Sequence, residues 1–389
     1  MDRKQRKVAR QCVLCGKCLE VCPIFAATGR EEFSPRAKFF LARTLADKKT
    51  QSDISKKRAL KLAGKCFSCG KCEKACPARL CAPDLLCDLR AANPDAQAAL
   101  WRLWVEKAHI LWPMMTTLSR ILPDSSPGGR IQALSAGLKA MALQPLDPWL
   151  LPTRFDACGQ GRKAVVFSGC VAAHAQPRLT AAAEKLLRGL GFAVAEKIGF
   201  VCCGYTLGHV GLKDAQRRMR LINLASWRKA GRPLIVSFCA TCRYGLSRYV
   251  RADLDWLPGE REMWAAALVP LSELASHVEY AVLPGNPAGK VHYHTPCHDT
   301  DGKDAVFLRA VLGDALYART QKDMCCGFGG ALKLDAPELS DIAAKRCLDF
   351  YGPLPSERIL SGCSGCVMQL RANAPDGVRV GHWLESVKL

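Results

Sequence analysis

Two stretches near the start of the chain repeat one cysteine spacing. The first is Cys12-x-x-Cys15-x-x-Cys18-x-x-x-Cys22-Pro23, and the second is Cys66-x-x-Cys69-x-x-Cys72-x-x-x-Cys76-Pro77. Three thiols at two-residue gaps wrap a tight loop around three corners of an iron–sulfur cubane. The fourth, set just before proline, points away and ligates the other cluster. The spacing therefore assigns Cys12, Cys15, Cys18 and Cys76 to one [4Fe–4S] cluster, and Cys66, Cys69, Cys72 and Cys22 to another. Crossed ligation of this kind brings two clusters close enough for fast electron hopping. Gly16 and Gly70 suit loops that turn tightly beside a cluster. Zinc or disulfides are the alternative, but a structural zinc takes its four ligands in pairs, as two Cys-x-x-Cys hairpins. Neither run is built that way.

The chain has 22 cysteines in 389 residues, too long for a small disulfide-stapled scaffold. Its first residues, Met1-Asp2-Arg3-Lys4-Gln5-Arg6-Lys7, are charged and run straight into cysteines with no apolar stretch between, so no signal peptide is expected. No apolar stretch approaches the ~18 residues of a membrane span. The expected setting is a reducing, cytoplasmic compartment, with a peripheral place on the cytoplasmic membrane face as an option, and with metal ligation as the main use of the thiols. A formal charge of +21 raises nucleic acid, anionic lipid or an acidic partner as binding classes. The basic residues are dispersed and no recognition motif is present, so nucleic acid is set aside. Each thiolate-bound [4Fe–4S] cluster carries a net charge of about −2, so bound clusters themselves offset part of the excess.

The second half of the chain contains an internal repeat. Lys163–Ser168 is a strand-like run ending at Gly169-Cys170, and Lys290–Thr295 is another ending at Pro296-Cys297. Cys202-Cys203-Gly204 is matched by Cys325-Cys326-Gly327, and Cys239-Ala-Thr-Cys242 by Cys363-Ser-Gly-Cys366. The copies close on Val269-Pro-Leu-Ser-Glu-Leu274 and Val380-Gly-His-Trp-Leu-Glu385. Between cysteine groups the pattern predicts a helix over Leu179–Leu190, a short strand at Phe192–Ala195, a helix over Leu212–Lys229 and a strand at Pro233–Phe238. This alternation implies a parallel α/β sheet with its cysteines beyond the strand ends, where such sheets place ligands. Each copy offers five thiols: Cys170, Cys202, Cys203, Cys239 and Cys242, then Cys297, Cys325, Cys326, Cys363 and Cys366. Five exceed the need of one cubane, and adjacent cysteines do not both reach one regular corner. A distorted, non-cubane cluster with bridging thiolates uses all five, so one or two further [4Fe–4S] clusters are expected at these sites; zinc or a dithiol pair in each copy is the alternative.

The Cys…Cys-Cys-Gly…Cys-x-x-Cys pattern resembles the CCG domain of heterodisulfide reductase and its relatives. The whole chain, a ferredoxin-like module plus two such domains, resembles the iron–sulfur subunit of glycolate oxidase and the corresponding subunit of anaerobic glycerol-3-phosphate dehydrogenase. Cys22-Pro-Ile-Phe25, Gly29 and Ser34-Pro-Arg36 add to the likeness. The resemblance implies an electron-transfer subunit that takes electrons from a FAD-binding partner oxidising a 2-hydroxy acid such as glycolate or lactate, and passes them to a quinone or another carrier. Glycolate oxidase subunits often lack some of the CCG cysteines, whereas both sets are complete here. Complete sets look like the catalytic subunit of heterodisulfide reductase, whose CCG domains bind non-cubane [4Fe–4S] clusters and cleave a disulfide. That is the rival reading. A zinc-stabilised interaction protein is a third.

The expected architecture is multidomain: an all-α dicluster ferredoxin-like domain over 1–94, a helical linker or docking segment over 95–162, and duplicated α/β CCG domains with parallel sheets over 163–279 and 280–389. The long gap between the first two runs, with a helical stretch at Ala37–Asp47, favours the helical form. Leu100–Leu122, with Trp101, Trp104 and Trp112, fits a membrane surface, or docking against a partner or the CCG domains. His174, His209, His294 and His298 lie near the repeat cysteines. Polar loop residues are the plainer reading, with proton donation or tuning of a cluster as the other. Cys81, Cys87, Cys158 and Cys347 read as ordinary thiols. No glycine-rich phosphate loop follows a strand, so no flavin or nicotinamide is expected on this chain.

Overall fold

A computed structural model of the chain describes residues 8–46, 53–119, 130–142, 145–195, 198–284, 289–319, 321 and 323–389. Met1–Lys7, Asp47 and the far end of the Leu100–Leu122 stretch lie outside the described residues. The first segment folds into helices at Pro23–Thr28, Pro35–Ala46, Asp53–Ala63, Lys71–Ala75 and Ala82–Ala91, and no strand precedes Leu150 among the described residues. Ser34 starts the second helix: its hydroxyl accepts the Ala37 N–H at 3.1 Å, and Pro35 supplies a preset first φ. Helices at Ala96–Glu106, Ala108–Ser119 and Arg130–Ala142 follow, the first capped by Asp95, which accepts from Ala98 N at 2.8 Å.

Ten short strands are described: β1 (Leu150–Phe155), β2 (Lys163–Val166), β3 (Ala193–Val194), β4 (Leu234–Ser237), β5 (Leu268–Pro270), β6 (Val278–Val282), β7 (Val291–His294), β8 (Leu316–Tyr317), β9 (Arg358–Ser361) and β10 (Arg379–His382). β3-β2-β4-β5 form one parallel sheet, and β8-β7-β9-β10 form a second with the same order. The repeat in sequence is thus a repeat in topology. Helix Pro177–Gly189 packs on the first copy by burying Leu179, Ala183, Leu186 and Leu187, an i, i+4, i+7, i+8 stripe. Each of those leucines contributes roughly 1.5–3 kcal/mol by leaving water.

The segment 95–162, expected to be helical, also holds β1. That strand pairs antiparallel with β6, from Leu150↔Val282 to Phe155↔Val278, and Lys388 N donates to Leu150 O at 2.8 Å. β1 therefore ties the end of the first copy to the C-terminus, a long-range pairing that local pattern does not carry. One continuous hydrophobic core runs through both copies and includes Trp149, Trp227, Trp264 and Trp383.

Away from the cysteines, Glu260 is fully buried and accepts from Arg228 Nε at 2.9 Å, Arg232 Nη2 at 3.0 Å and Leu257 N at 3.1 Å. The Arg228 guanidinium, outweighing desolvation, and with Leu257 N–H and Arg232 beside it, holds the carboxyl at about 2. A carboxyl depressed on folding stabilises the protein fully above its unfolded value near 4.5, and the gain disappears as pH falls toward 2. The contribution at neutral pH is on the order of 2–3 kcal/mol. Glu260→Gln is expected to lose that stability at pH 7 and to flatten the fall in stability between pH 4.5 and 2. Urea unfolding of variant and native protein across that window measures it; parallel curves would remove Glu260 from the account.

Candidate metal centres

The two N-terminal loops share one unusual backbone. Leu14 and Gly16 have φ of 59° and 84°, and Ser68 and Gly70 have φ of 55° and 71°. A left-handed conformation costs a non-glycine residue roughly 1–2 kcal/mol. Both loops accept it at the same position, and it turns main-chain N–H groups toward sulfur: Ser68 N donates to Cys66 Sγ at 3.4 Å. Cys12, Cys15, Cys18 and Cys76 line a common cavity of about 100 Å³, which Cys72 of the second run also lines. Cys15 is exposed. Cys22 is buried and lies within electrostatic reach of Cys66. Burial pushes its thiol up to about 11, and pushes those of Cys69 and Cys72 up as well.

Lys38 sits beside this group with only 1% of its surface exposed. Its ammonium donates to Phe33 O and Ser34 O, and its charge reaches Cys66, Cys22 and Cys72. Desolvation disfavours the buried ammonium, and those thiols favour it as they ionise. A buried cation with no carboxylate bonded to it among the described residues suits a site that gathers thiolates.

In the repeat, Cys170, Cys239, Cys297 and Cys363 follow the C-terminal ends of β2, β4, β7 and β9, the central strands of the two sheets. The Cys-Cys-Gly loops come after β3 and β8. Gly204 N and Gly327 N each donate to the first thiol of the pair, Cys202 Sγ and Cys325 Sγ, at 3.4 Å. Gly327 has φ of 82°, and a Cβ there would lie 2.2 Å from Ser340 O, so only glycine fits. All ten repeat cysteines line one cavity of about 170 Å³, and no carboxylate lines it among the described residues. Cys239 and Cys363 touch across the junction of the copies, where Ala240 N donates to Gly362 O at 2.8 Å. Cys326 Sγ and Cys366 Sγ are 3.1 Å apart.

These donor sets fit iron–sulfur clusters. Soft thiolates with no hard oxygen ligand select iron–sulfur or zinc over calcium, magnesium or manganese. All 22 cysteines are unbridged. Hydrogen bonds from their neighbours hold Cys202, Cys325 and Cys363 well below the usual thiol range, while Cys170, Cys203, Cys297 and Cys326 are driven up by the thiolates beside them and by burial. A buried set of five thiols does not ionise together unless a cation compensates it.

The tryptophan-rich helices close over this cavity. Trp101, Trp104, Val105, Trp112, Leu138 and Met141 line it opposite the cysteines. Trp104 and Trp112 lie 5.5 Å apart, and Trp112 Nε1 donates to Trp104 O at 3.1 Å. Of the placements open to this stretch, its inner face packs on the cysteine-rich copies. Leu100, Leu103, Ile110, Met114 and Leu118 remain exposed.

The second N-terminal loop packs against both copies at their junction. His298 Nε2 donates to Ser68 O at 3.2 Å, and Thr241 Oγ1 lies 3.0 Å from His298 Nδ1 and 3.2 Å from Cys363 Sγ. Tyr205 O–H donates to the same carbonyl at 3.1 Å, and Lys65 pairs with Asp335 at 2.9 Å. His209, His294 and His298 are buried; His209 lies on a helix and His294 at a strand end, which corrects their reading as polar loop residues, while His298 lies in a turn and His174 is partly exposed. The flanking Tyr205, Tyr244 and Phe67 supply the cover that single-residue reading did not anticipate. Cys81, Cys87, Cys158 and Cys347 line neither thiol cavity. Lys38, Ser68, Thr241 and Tyr205 carried no spacing signal.

Comparison with known proteins gives the same partition. The 4Fe-4S dicluster domain family matches residues 8–80, and the cysteine-rich domain family matches 164–247 and 291–371. The chain is 23% identical over 407 residues to the glycolate oxidase iron-sulfur subunit of Escherichia coli (strain K12), covering 98% of this chain and 94% of that one. It is 23% identical over 387 residues to one of the subunits of the fumarate reductase (CoM/CoB) of Methanothermobacter marburgensis, covering 95% and 69%. It is 23% identical over 412 residues to one of the subunits of the dihydromethanophenazine:CoB–CoM heterodisulfide reductase of Methanosarcina mazei, covering 97% and 91%. No described helix is long and apolar enough to cross a membrane. The chain thus joins a 4Fe-4S dicluster domain to two cysteine-rich domains, and is an iron–sulfur protein with several [4Fe–4S] clusters and a role in electron transfer.

Proposed function

We propose that this chain is the iron–sulfur electron-transfer subunit of a flavin-linked 2-hydroxy-acid dehydrogenase. It takes electrons from a FAD-binding partner acting on a glycolate- or lactate-type substrate and delivers them to a quinone or other carrier, in the cytoplasm or against its membrane face. Cys12, Cys15, Cys18 and Cys76 hold one [4Fe–4S] cluster, and Cys66, Cys69, Cys72 and Cys22 the second. The five thiols from Cys170 to Cys242 and the five from Cys297 to Cys366 each hold a further one. The domains are 1–94, all helical, then 95–162, 163–279 and 280–389.

The observation that carries this reading is the unbroken series of thiol sets. The exposed Cys15 loop adjoins the buried Cys22 group; the Ser68 carbonyl of that group meets His298 and, through Thr241, Cys363; and Cys363 touches Cys239. When bound, the clusters supply one-electron storage and relay along such a series. The protein keeps their surroundings dry with the tryptophan helices and supplies Lys38 as a counter-charge. The exposed Leu100, Leu103, Ile110, Met114 and Leu118 offer a face for a partner subunit or a quinone-bearing membrane protein.

The completeness of both five-thiol sets favours one second reading, a heterodisulfide-reductase-like subunit that reduces a disulfide with two electrons and two protons to give two thiols, at a non-cubane [4Fe–4S] site. One experiment separates the two. The anaerobic chain is mixed with its flavin partner and a 2-hydroxy acid, and separately with reduced viologen and a disulfide. Bleaching of the iron–sulfur absorption by the hydroxy acid only when the partner is present supports the dehydrogenase subunit. Turnover of the disulfide by the chain alone replaces it with the second reading.

A further inference from the structure

The two cysteine-rich copies share topology and thiols, but they differ at one buried position. In the first copy Phe167 lies three residues before Cys170, and it packs on Phe200 with centroids 5.2 Å apart. In the second copy the matching residue, three before Cys297, is His294 at the end of β7. His294 is 1% exposed. Its ring, Cys326 Sγ and Cys366 Sγ place their donor atoms within 4.8 Å of one another. Nδ1 lies 3.4 Å from Cys347 Sγ, and Nε2 is buried with no partner. Cys347 itself is 0% exposed and outside both thiol cavities, and its sulfur has the ring nitrogen as its hydrogen-bond partner.

A buried ring nitrogen without a partner costs about 1–3 kcal/mol unless something beside it takes up its hydrogen. With the Cys347 S–H as donor to Nδ1, the ring's own proton lies on Nε2. The sulfurs of Cys326 and Cys366 lie within 4.8 Å of a ring nitrogen of His294, and Nε2 is the nitrogen left without a partner among the described residues. We propose that His294 donates its Nε2–H to the Cys326 and Cys366 sulfurs of the second cysteine-rich site, with Cys347 as the positioning residue that sets the tautomer, and that this donor makes the second site easier to reduce than the first. The inference rests on the reading above that the Cys297 set holds a cluster. A donor to a thiolate sulfur stabilises the state with more negative charge, which is the reduced one. Phe167 has no hydrogen to give, so the first site lacks the effect. Both copies adjoin Ser68, through Tyr205 and His298, so the difference between the two sites rests on His294 and not on contact with the dicluster domain.

The test uses the full anaerobic chain with His294→Phe, which copies the first repeat, and His294→Gln, which keeps an N–H donor. Iron is counted and each centre is titrated by EPR at set potentials. The expected result is full iron in both variants. In His294→Phe the oxidised-to-reduced ratio at one centre rises about tenfold at fixed poise, about 59 mV for a one-electron couple, with the other centres unmoved. His294→Gln recovers part of the shift, and Cys347→Ala gives a smaller shift of the same sign at the same centre. Full iron with unmoved potentials overturns the inference. So does loss of about four irons from His294→Phe alone, which would make His294 a ligand rather than a donor. A native count of about eight irons removes the cluster reading beneath it, and the inference with it.

Discussion

Cys22→Ala, purified without oxygen, is expected to lose about four irons from the set built on Cys66, Cys69 and Cys72, and to keep the set built on Cys12, Cys15 and Cys18. The mirror variant, Cys76→Ala, is expected to do the reverse. The reason is in the backbone. Both residues precede proline, which drives the preceding residue out of the helical region into an extended conformation. Cys22 has φ −87° and ψ 109°, and Cys76 has φ −82° and ψ 123°. Each side chain therefore leaves its own loop. Cys22 is buried beside Cys66 and Lys38, while Cys76 shares the cavity of Cys12, Cys15 and Cys18. EPR of the reduced protein distinguishes the two losses, because the surviving signal belongs to a cluster near the exposed Cys15 in one variant and beside the buried Lys38 in the other. Fast-relaxing surface paramagnets broaden only the first. Loss of the surface signal in Cys22→Ala would mean that each run closes its own cluster. Because bound metal contributes folding energy in such small cores, both variants are also expected to unfold at lower denaturant than the native chain.

Much of this was legible in sequence, for identifiable reasons. The strand expected at Lys163–Ser168 is found at Lys163–Val166, the helix at Leu212–Lys229 starts one residue later, and the strand at Pro233–Phe238 is Leu234–Ser237. Short apolar β-branched runs and long periodic helices announce themselves locally. β1 did not, because its partner is β6 on the far side of the first copy. The thiols were legible because their spacing is itself the constraint. Their merging into one ten-thiol cavity was not, since the contact of Cys239 with Cys363 depends on how two folded copies meet. Lys38 was hidden by ordinary rules of exposure. A lysine is almost never buried without compensation, and the compensation here is a set of thiols brought close by folding. His209 and His294 were misjudged because a loop-like neighbourhood in sequence becomes a buried helix for the first and a buried strand end for the second.

The tryptophan helices decide how well the ten-thiol cavity is sealed, and Trp112→Ala is expected to show it. Trp112 is 5% exposed and packs among Leu138, Met141 and Met368, so it joins two of the covering helices to the second copy. Truncating a buried tryptophan costs roughly 3–5 kcal/mol. These residues form a cluster separate from the main core. The cost therefore falls mainly on local opening of the cover rather than on global unfolding. A local loss of about 3 kcal/mol raises the open fraction on the order of a hundredfold. Release of iron from the repeat sites to a ferrous chelator, and bleaching there by oxygen, are expected to accelerate accordingly, while the dicluster sites keep their native rates. Leu118→Ala, on the exposed face of the same helix, is the control and leaves both rates unchanged. Equal acceleration at all sites would show a general loss of stability in place of an opened cover. Unchanged release from the repeat sites in a folded Trp112→Ala chain would show that the thiol cavity is sealed by the two copies themselves, and that these helices serve only the partner on their outer face.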